Sequence, residues 1–374
     1  MRTSDRLPRA LARAGAVLEI DLAAIAENWR RLAARLAPDA QCAAVVKADA
    51  YGLGMARVAP HLADAGCALF FVATLDEGIA LRRLLSAAEI AVLNGVQPGT
   101  VGEFVRARLI PVLNDLGQIA LWRKHAKGRA LPAMIHVDTG MARLGVPPGE
   151  MAQLAAEPER LAGTTLRAIL SHLACADAPS HPLNAEQLAA FRAALAHLPR
   201  APASLAASSG IFLGHDYHFQ IARPGVALYG ANPTSEHPNP MAQVVALKGR
   251  ILQVRDIDRG RSVGYGAAHR MERPGRVATV AVGYADGWLR SLSHRGSAGI
   301  AGQRVPVIGR ISMDLLTLDV TGIDPALARP GALVELIGGE CGIDAVAAAA
   351  GTIAYEILTA LGRRHYRVYR DGTA

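Results

Sequence analysis

Between residues 40 and 230 the chain alternates eight short apolar runs with longer Ala- and Leu-rich stretches, and this alternation narrows its folding options more than any other feature. The runs are 43–47 (AAVVK), 68–73 (ALFFVA), 90–94 (IAVLN), 109–114 (LIPVLN), 133–138 (AMIHVD), 166–173 (LRAILSHL), 203–208 (ASLAAS) and 222–230 (ARPGVALYG). The stretches between most of them, such as 76–85 and 186–198, have helical character. Upstream, Asp21 can cap a helix whose apolar residues Ile25, Trp29, Leu32 and Leu36 recur at four- and three-residue spacings, giving one buried face. Near-continuous apolar strands alternating with helices predict a parallel sheet covered on its outside. Eight is the number that closes a TIM (β/α)8 barrel; a doubly wound open sheet is the alternative that periodicity leaves open.

From about residue 241 the texture changes. QVVALKGRILQVRDI, RVATVAVGYADG, RVPVIGRISMDLLTLDV and ALVELIGG read as strands separated by Gly, Pro and Asp turns, and only 343–361 looks helical. The expected organisation is therefore an α/β barrel over 21–240 followed by a mostly β domain over 241–374. The alternating VLEIDL at 17–22 is expected to pair with that second domain, so that residues 1–20 belong to it and the domain is discontinuous. A chain of 374 residues, 51% hydrophobic and 19% charged, suits two well-buried domains.

The net charge of +8 is small for this length and not clustered, so it argues against a nucleic-acid partner and fits attraction of a phosphorylated or carboxylate ligand. Cys42, Cys67, Cys175 and Cys341 show no CxxC spacing, which predicts free thiols rather than a metal site or disulfide framework. The basic N-terminus lacks an apolar core of signal-peptide type, and no stretch of about 18 apolar residues suggests a membrane span. A cytoplasmic location is the resulting expectation.

Chemistry in a barrel sits at the C-terminal ends of its strands. There the runs place Lys47, His136, Asp138, His172, Ser208 and Arg223, the last beside Gly225. A single lysine in such a place is ordinarily a solvated strand end. Several cationic and hydrogen-bonding groups on one face, with a Gly-containing turn (RPGVALYG) near the last strand, instead form the kind of mouth that binds phosphate.

The segment AVVKADAYGLG (44–54) resembles the pyridoxal-phosphate attachment motif of the alanine racemases. HVDTGMARLG (136–145), SHLACAD (171–177), RPGVALYG (223–230), VGYGAAH (263–269), VGYADGWLR (282–290) and VIGRISMD (307–314) resemble further segments of that family, in its order, over about 270 residues. The resemblance implies a barrel followed by a β domain, a homodimer with shared active sites, pyridoxal 5'-phosphate as cofactor, and L-alanine and D-alanine as substrates. It implies that Lys47 holds the cofactor covalently and, once displaced, acts as base on one face of the α-carbon. Tyr265 from the other subunit would serve the opposite face. A phenol ordinarily titrates near pH 10, so it needs cationic or hydrogen-bonding neighbours, which the resemblance identifies as His172 and, behind it, Arg223.

Arg223 resembles the arginine that faces the cofactor's pyridine nitrogen and keeps it unprotonated. The phosphate would be held by Tyr51, Ser208, Tyr355 and the backbone of Gly225 and Val226. Ser208 rather than Ser209 keeps the family's spacing to Arg223. The substrate carboxylate would meet Arg143 and the backbone of Met313, while Asp177, Tyr284, Arg290 and Arg310 resemble residues of the entry channel.

The resemblance departs at His136. The family commonly has a carbamylated lysine there, orienting the arginine equivalent to Arg143, and an imidazole does not form that stable carbamate. A neutral His136 could accept a hydrogen bond from Arg143, or a bound chloride could supply the charge; the sequence leaves both open. It also leaves open whether the product serves cell-wall precursors or catabolism. Rival readings are a broad-specificity racemase, a decarboxylase on the same two-domain plan, and a non-catalytic cofactor-binding homeostasis protein. The last lacks a second domain, so VGYG with Tyr265 argues against it.

Overall fold

The computed structural model describes residues 9–127 and 129–371. The chain divides into two compact units, one of Ile25–Ala242 and one of Met1–Ala24 with Gln243–Ala374.

In the first unit a seven-stranded parallel sheet runs in sequence order through Ala44–Val45, Leu69–Val72, Glu89–Val92, Ile110–Leu113, Leu131–His136, Thr164–Leu170 and Ala203–Ser204. An eighth position closes it. Ile221–Ala222 pairs in parallel with Gln41–Cys42, immediately before the first strand of the sheet. The N–H groups of Gln41, Ala43 and Val45 donate to the carbonyls of Gln220, Ala222 and Pro224 at 2.8, 2.9 and 3.0 Å. On the other side, Gln220 and Arg223 donate to Ala203 and Ala206 at 3.1 and 2.9 Å. The ring of eight parallel strands is thus complete, and the open-sheet alternative falls away.

Short strands that are buried along their whole length, such as LFFV and IPVL, need apolar neighbours on both faces and find them inside the ring and under the helices. Three of the surrounding helices start at side-chain caps. Asp21 accepts the Ala24 N–H at 2.8 Å at the head of Leu22–Ala33, Thr74 and Glu77 form a capping box on Leu75–Leu84, and Asp115 accepts the Gln118 N–H at 2.7 Å. In this unit two expectations need correction. Leu36 is buried but lies past the end of its helix at Ala33. The run 222–230 is strand only at Ile221–Ala222, because Pro224 has no N–H for a ladder; Val226–Tyr229 is a 3-10 turn.

In the second unit the 13-residue strand Val245–Ile257 is the organiser. Its first half pairs with Ala16–Asp21 and Leu333–Ile337, and its second half with Gly275–Val280. The order continues through Leu316–Asp319, Gln303–Ile308 and Ser297–Ile300 back to Leu333–Ile337, so six strands close on themselves. Ala16–Asp21 also pairs in parallel with Tyr366–Arg370. The helix expected over 343–361 is two helices, Ile343–Ala350 and Ala354–Ala360, bent by 96° at the left-handed Gly351. Among the described residues no single helix is long and apolar enough to cross a membrane.

Leu18 is fully buried in the strand that holds the N-terminal segment between two others. Leu18→Ala is expected to cost about 3 kcal/mol in a denaturant titration, since truncating a closed-packed leucine leaves a cavity as well as losing transfer energy. A loss under about 0.5 kcal/mol would show that this strand contributes little to the unit.

Candidate active site

Lys47 is the first residue beyond the strand Ala44–Val45 and its valine neighbour, and it opens an unusual turn. Ala48, Asp49, Ala50 and Tyr51 all have φ of 53–55°, four consecutive non-glycine residues in the left-handed region. Such a run costs roughly 1–2 kcal/mol per residue. Internal bonds compensate: Ala50 N–H to Val46 O at 2.9 Å, Gly52 N–H to Ala48 O at 2.7 Å, and Met55 N–H to the Asp49 carboxylate at 2.7 Å. The Lys47 amine is partly buried. Desolvation lowers its proton affinity, Arg143 lowers it further, and Glu77 opposes both.

The last strand position lies directly beside the first, so the Arg223 segment is Lys47's neighbour across the closing seam. Arg223 is 4% exposed, donates to Ser171 O at 2.6 Å and to the Ser204 hydroxyl, and is lowered to about 10 by desolvation, still cationic at neutral pH. Next to it the Ser208 hydroxyl accepts the N–H groups of Gly225 and Ala227 at 2.9 and 3.2 Å. A Cβ on Gly225 would lie 2.2 Å from the Tyr51 hydroxyl, so only glycine lets that phenol approach the turn. Tyr51 is braced against Tyr229, ring centroids 4.7 Å apart, and the Tyr229 hydroxyl donates to Val45 O at 2.9 Å. A cradle of hydroxyls and backbone at a 3-10 turn, a buried cation and a desolvated amine fit an anionic aldehyde cofactor of the pyridoxal-phosphate kind.

His136 ends the strand Leu131–His136, buried, with Nδ1 2.9 Å from Asn114 Oδ1. The Asn114 amide donates to the carbonyls of Leu93 and Val112 at 3.0 and 2.8 Å, so its oxygen must face the imidazole and accept. Nδ1 therefore carries the proton and Nε2 presents a lone pair. Desolvation, with the charges of Arg223 and Arg143 outweighing that of Asp138, pushes His136 down to about 4. Desolvation and Arg223, Arg143, His136 and Lys47 push His172 down to about 3. Asp138 is a turn former: its Oδ1 accepts from Gly140, Met141 and Ala142 at 3.0, 3.0 and 3.1 Å, shaping the loop that carries Arg143. Asp177 is exposed on the loop that follows His172.

In the other unit Tyr265 sits in a turn flanked by Gly264 and Gly266, 72% exposed. The Arg310 guanidinium lies against Gly266. Tyr284 and Ala285 donate to Ser312 O and Met313 O at 3.1 and 2.9 Å, and Ser293, which donates to Arg290 O at 2.6 Å, accepts the Ile311 N–H at 3.0 Å. Tyr265, Tyr284, Arg290, Arg310 and Met313 thus share one cluster of interlocked loops. Tyr355 lies on the helix Ala354–Ala360, partly exposed.

Comparison with known proteins bears on this arrangement. Residues 20–233 match the model of the alanine racemase N-terminal domain, and residues 244–369 that of the C-terminal domain. The chain belongs to the alanine racemase family. It is 54% identical over 367 residues to an alanine racemase of Rhodospirillum rubrum, covering 96% of this chain and 98% of that one. It is 50% identical to a catabolic alanine racemase of Mesorhizobium japonicum, covering 99% and 97%. The crystal structure of the Bartonella henselae alanine racemase, with covalently bound pyridoxal phosphate, superposes with a TM-score of 0.92 at 43% identity, covering 95% of this chain and 99% of that one.

Two polar residues of this racemase fold escaped the sequence reading. Asn114 closes the run 109–114 and so was visible as a strand end. Glu77 is legible in the pattern Thr74-x-x-Glu77, but only as a helix cap.

Because His136 titrates at about 4 when folded, against about 6.5 ordinarily, the unfolded chain binds its proton first. Stability is full above pH 6.5 and lost as pH falls toward 4, by about 3 kcal/mol for this residue. His136→Gln, which cannot titrate, is expected to flatten the fall in melting temperature across that window. Parallel falls in the two proteins would show that His136 is not held neutral.

Proposed function

We propose that this member of the alanine racemase family works with two bases, Lys47 and Tyr265, on opposite faces of the substrate α-carbon. The family's reaction is the interconversion of L-alanine and D-alanine with pyridoxal 5'-phosphate. The observation that carries the residue assignment is the seam: a partly desolvated lysine at the end of the first strand, adjoining a buried arginine and a glycine-lined cradle at the last.

When bound, pyridoxal 5'-phosphate withdraws electrons from the substrate's α-carbon and makes its proton acidic. Tyr51, Ser208, the backbone of Gly225 and Val226, and Tyr355 would hold its phosphate, and Arg223 would face its ring nitrogen. The Arg223 charge is fixed, because both its acceptors are neutral oxygens and no proton leaves it near neutrality. Lys47, its proton affinity lowered by burial and by Arg143, takes or returns a proton on one face. Arg143 and the Met313 backbone orient the substrate carboxylate. Tyr265 of the partner subunit serves the other face, with His172 relaying the field of Arg223 to its phenol. His172, neutral at working pH, can do so as a hydrogen-bonding partner.

A homodimer is part of the proposal. Of the eleven large hydrophobic side chains most exposed among the described residues, nine lie between Leu252 and Tyr355, all in the second unit. Asp177, Tyr284, Arg290 and Arg310 would line the approach. The four free cysteines fit work in the reducing cytoplasm.

Incubation of the cofactor-loaded protein with L-alanine is expected to yield D-alanine, and Lys47→Ala to abolish it; an inactive wild type overturns the reading. Tyr265→Ala is expected to impair α-proton exchange from L-alanine at least about a hundredfold more than from D-alanine, the scale of a lost general base. Equal losses from both isomers would remove Tyr265 as the second base.

A further inference from the structure

We propose that Glu77 is the positioning residue of the Lys47 amine, one carboxylate tying the turn after the first barrel strand to the turn after the second and holding a negative charge beside that amine. The proposal rests on the reading of Lys47 as the cofactor-bearing base.

A glutamate at the third position of a helix needs only one partner to complete a capping box, the N–H of the cap residue. Glu77 has three. Its Oε2 accepts from Thr74 at 3.2 Å and from Ala73 at 2.8 Å, and its Oε1 accepts from Ala48 at 2.6 Å. The Ala48 bond crosses 29 residues of sequence into a different strand-to-helix turn. It is also the shortest of the three, and it holds the first residue of the left-handed run that follows Lys47. An acceptor at that point fixes where the run begins, and so the direction in which the Lys47 side chain leaves the backbone.

The helix is built to deliver this carboxylate. Gly78, the next residue, has no room for a side chain: a Cβ would lie 2.9 Å from Leu109 Cδ1 and 3.1 Å from Val92 Cγ2. The helix Leu75–Leu84 is therefore seated tightly on the barrel just where Glu77 reaches its mouth. The surroundings supply a reason for the charge. Lys47 is faced by the Arg143 cation and by the neutral His172, and desolvation adds to Arg143 in weakening it as a base. Glu77 is the group that opposes them. A base that both takes and returns a proton works best with an affinity near the working pH, so a lysine lowered without limit would be a poor one.

Three substitutions separate the cap, the bridge and the charge. Glu77→Gln keeps the length, removes the charge and turns an amide NH2 toward N–H donors. Glu77→Asp keeps the charge but is too short to span both turns. Thr74→Ala removes the cap hydroxyl alone. The full chain, stripped of cofactor, is pulse-acetylated with acetic anhydride across pH and read by peptide mass spectrometry. Lys124 and Lys127, both exposed, serve as internal references. Amide hydrogen exchange is followed on the peptide 46–54.

Glu77→Gln is expected to move the midpoint of Lys47 acetylation to lower pH and to speed exchange in 46–54 about tenfold, the scale of one lost charge-assisted bond. Glu77→Asp is expected to speed exchange while keeping a midpoint close to wild type, and it carries the test should the Gln variant not fold. Thr74→Ala is expected to leave the midpoint alone. An unmoved midpoint in Glu77→Gln, unmoved exchange in Glu77→Asp, or a Thr74→Ala midpoint displaced as far as that of Glu77→Gln overturns the proposal. Borohydride reduction of the wild-type holoenzyme, with mapping of the labelled peptide, tests the separate premise: a label away from Lys47 would sink the base assignment without touching the titration result.

Discussion

Arg223 places a permanent positive charge inside a barrel, and among the described residues its hydrogen-bond partners are neutral, the Ser171 carbonyl and the Ser204 hydroxyl. Burying an uncompensated ion costs several kcal/mol even after relaxation. The consequences run outward from it. Its field is the first charge acting on His172 and on His136, and after desolvation it is the reason both imidazoles stay neutral far below their ordinary range. With the histidines neutral, Lys47 feels Arg143, which repels its proton, and Glu77, which retains it. The mouth of the barrel sets these cations among hydroxyls and backbone amides, a lining that fits an anionic ligand.

Closure of the ring converts sequence distance into proximity. The segments 44–54 and 223–230 are neighbours because strand eight must hydrogen-bond to strand one, and Val45 N–H to Pro224 O is that contact. The alternation of strands and helices was legible from apolar runs alone. The errors have local causes. VALYG continues the apolar pattern past Pro224, so periodicity could not see that the strand had stopped. The alanine-rich 343–361 reads as one helix because Gly351 interrupts neither its hydrophobicity nor its length, only its φ.

The site was readable to different depths. The apolar runs alone put Lys47, His136, His172, Ser208 and Arg223 at or just past strand ends, where the structure also has them and where a parallel barrel offers side chains to a ligand. Asp138, picked out by the same rule, is occupied in three backbone hydrogen bonds and shapes a loop. Tyr265, Tyr284, Arg290, Arg310 and Met313 lie on loops of the other unit, where periodicity carries no signal, and only the family resemblance pointed to them. Glu77 lies between these cases. A cap motif shows which local N–H a carboxylate accepts, while its second oxygen answers to tertiary structure.

The departure at His136 follows from the same bonding logic. Asn114 commits its two amide hydrogens to backbone carbonyls, which aims its oxygen at Nδ1 and leaves Nε2 as an acceptor. Nε2 is a neutral acceptor and does not offer a guanidinium the negative charge that a carboxylate or carbamate would. The loop that carries Arg143 is held by its own backbone. Asp138 gathers three N–H groups, Val146 N–H returns to His136 O at 2.8 Å, and Gly145 at φ +113° brings the chain so close to Asp138 N that a Cβ would sit 2.6 Å from it. The loop between Asp138 and Val146 is therefore pinned at both ends to the strand that His136 terminates. Backbone hydrogen bonds thus fix the loop that carries Arg143.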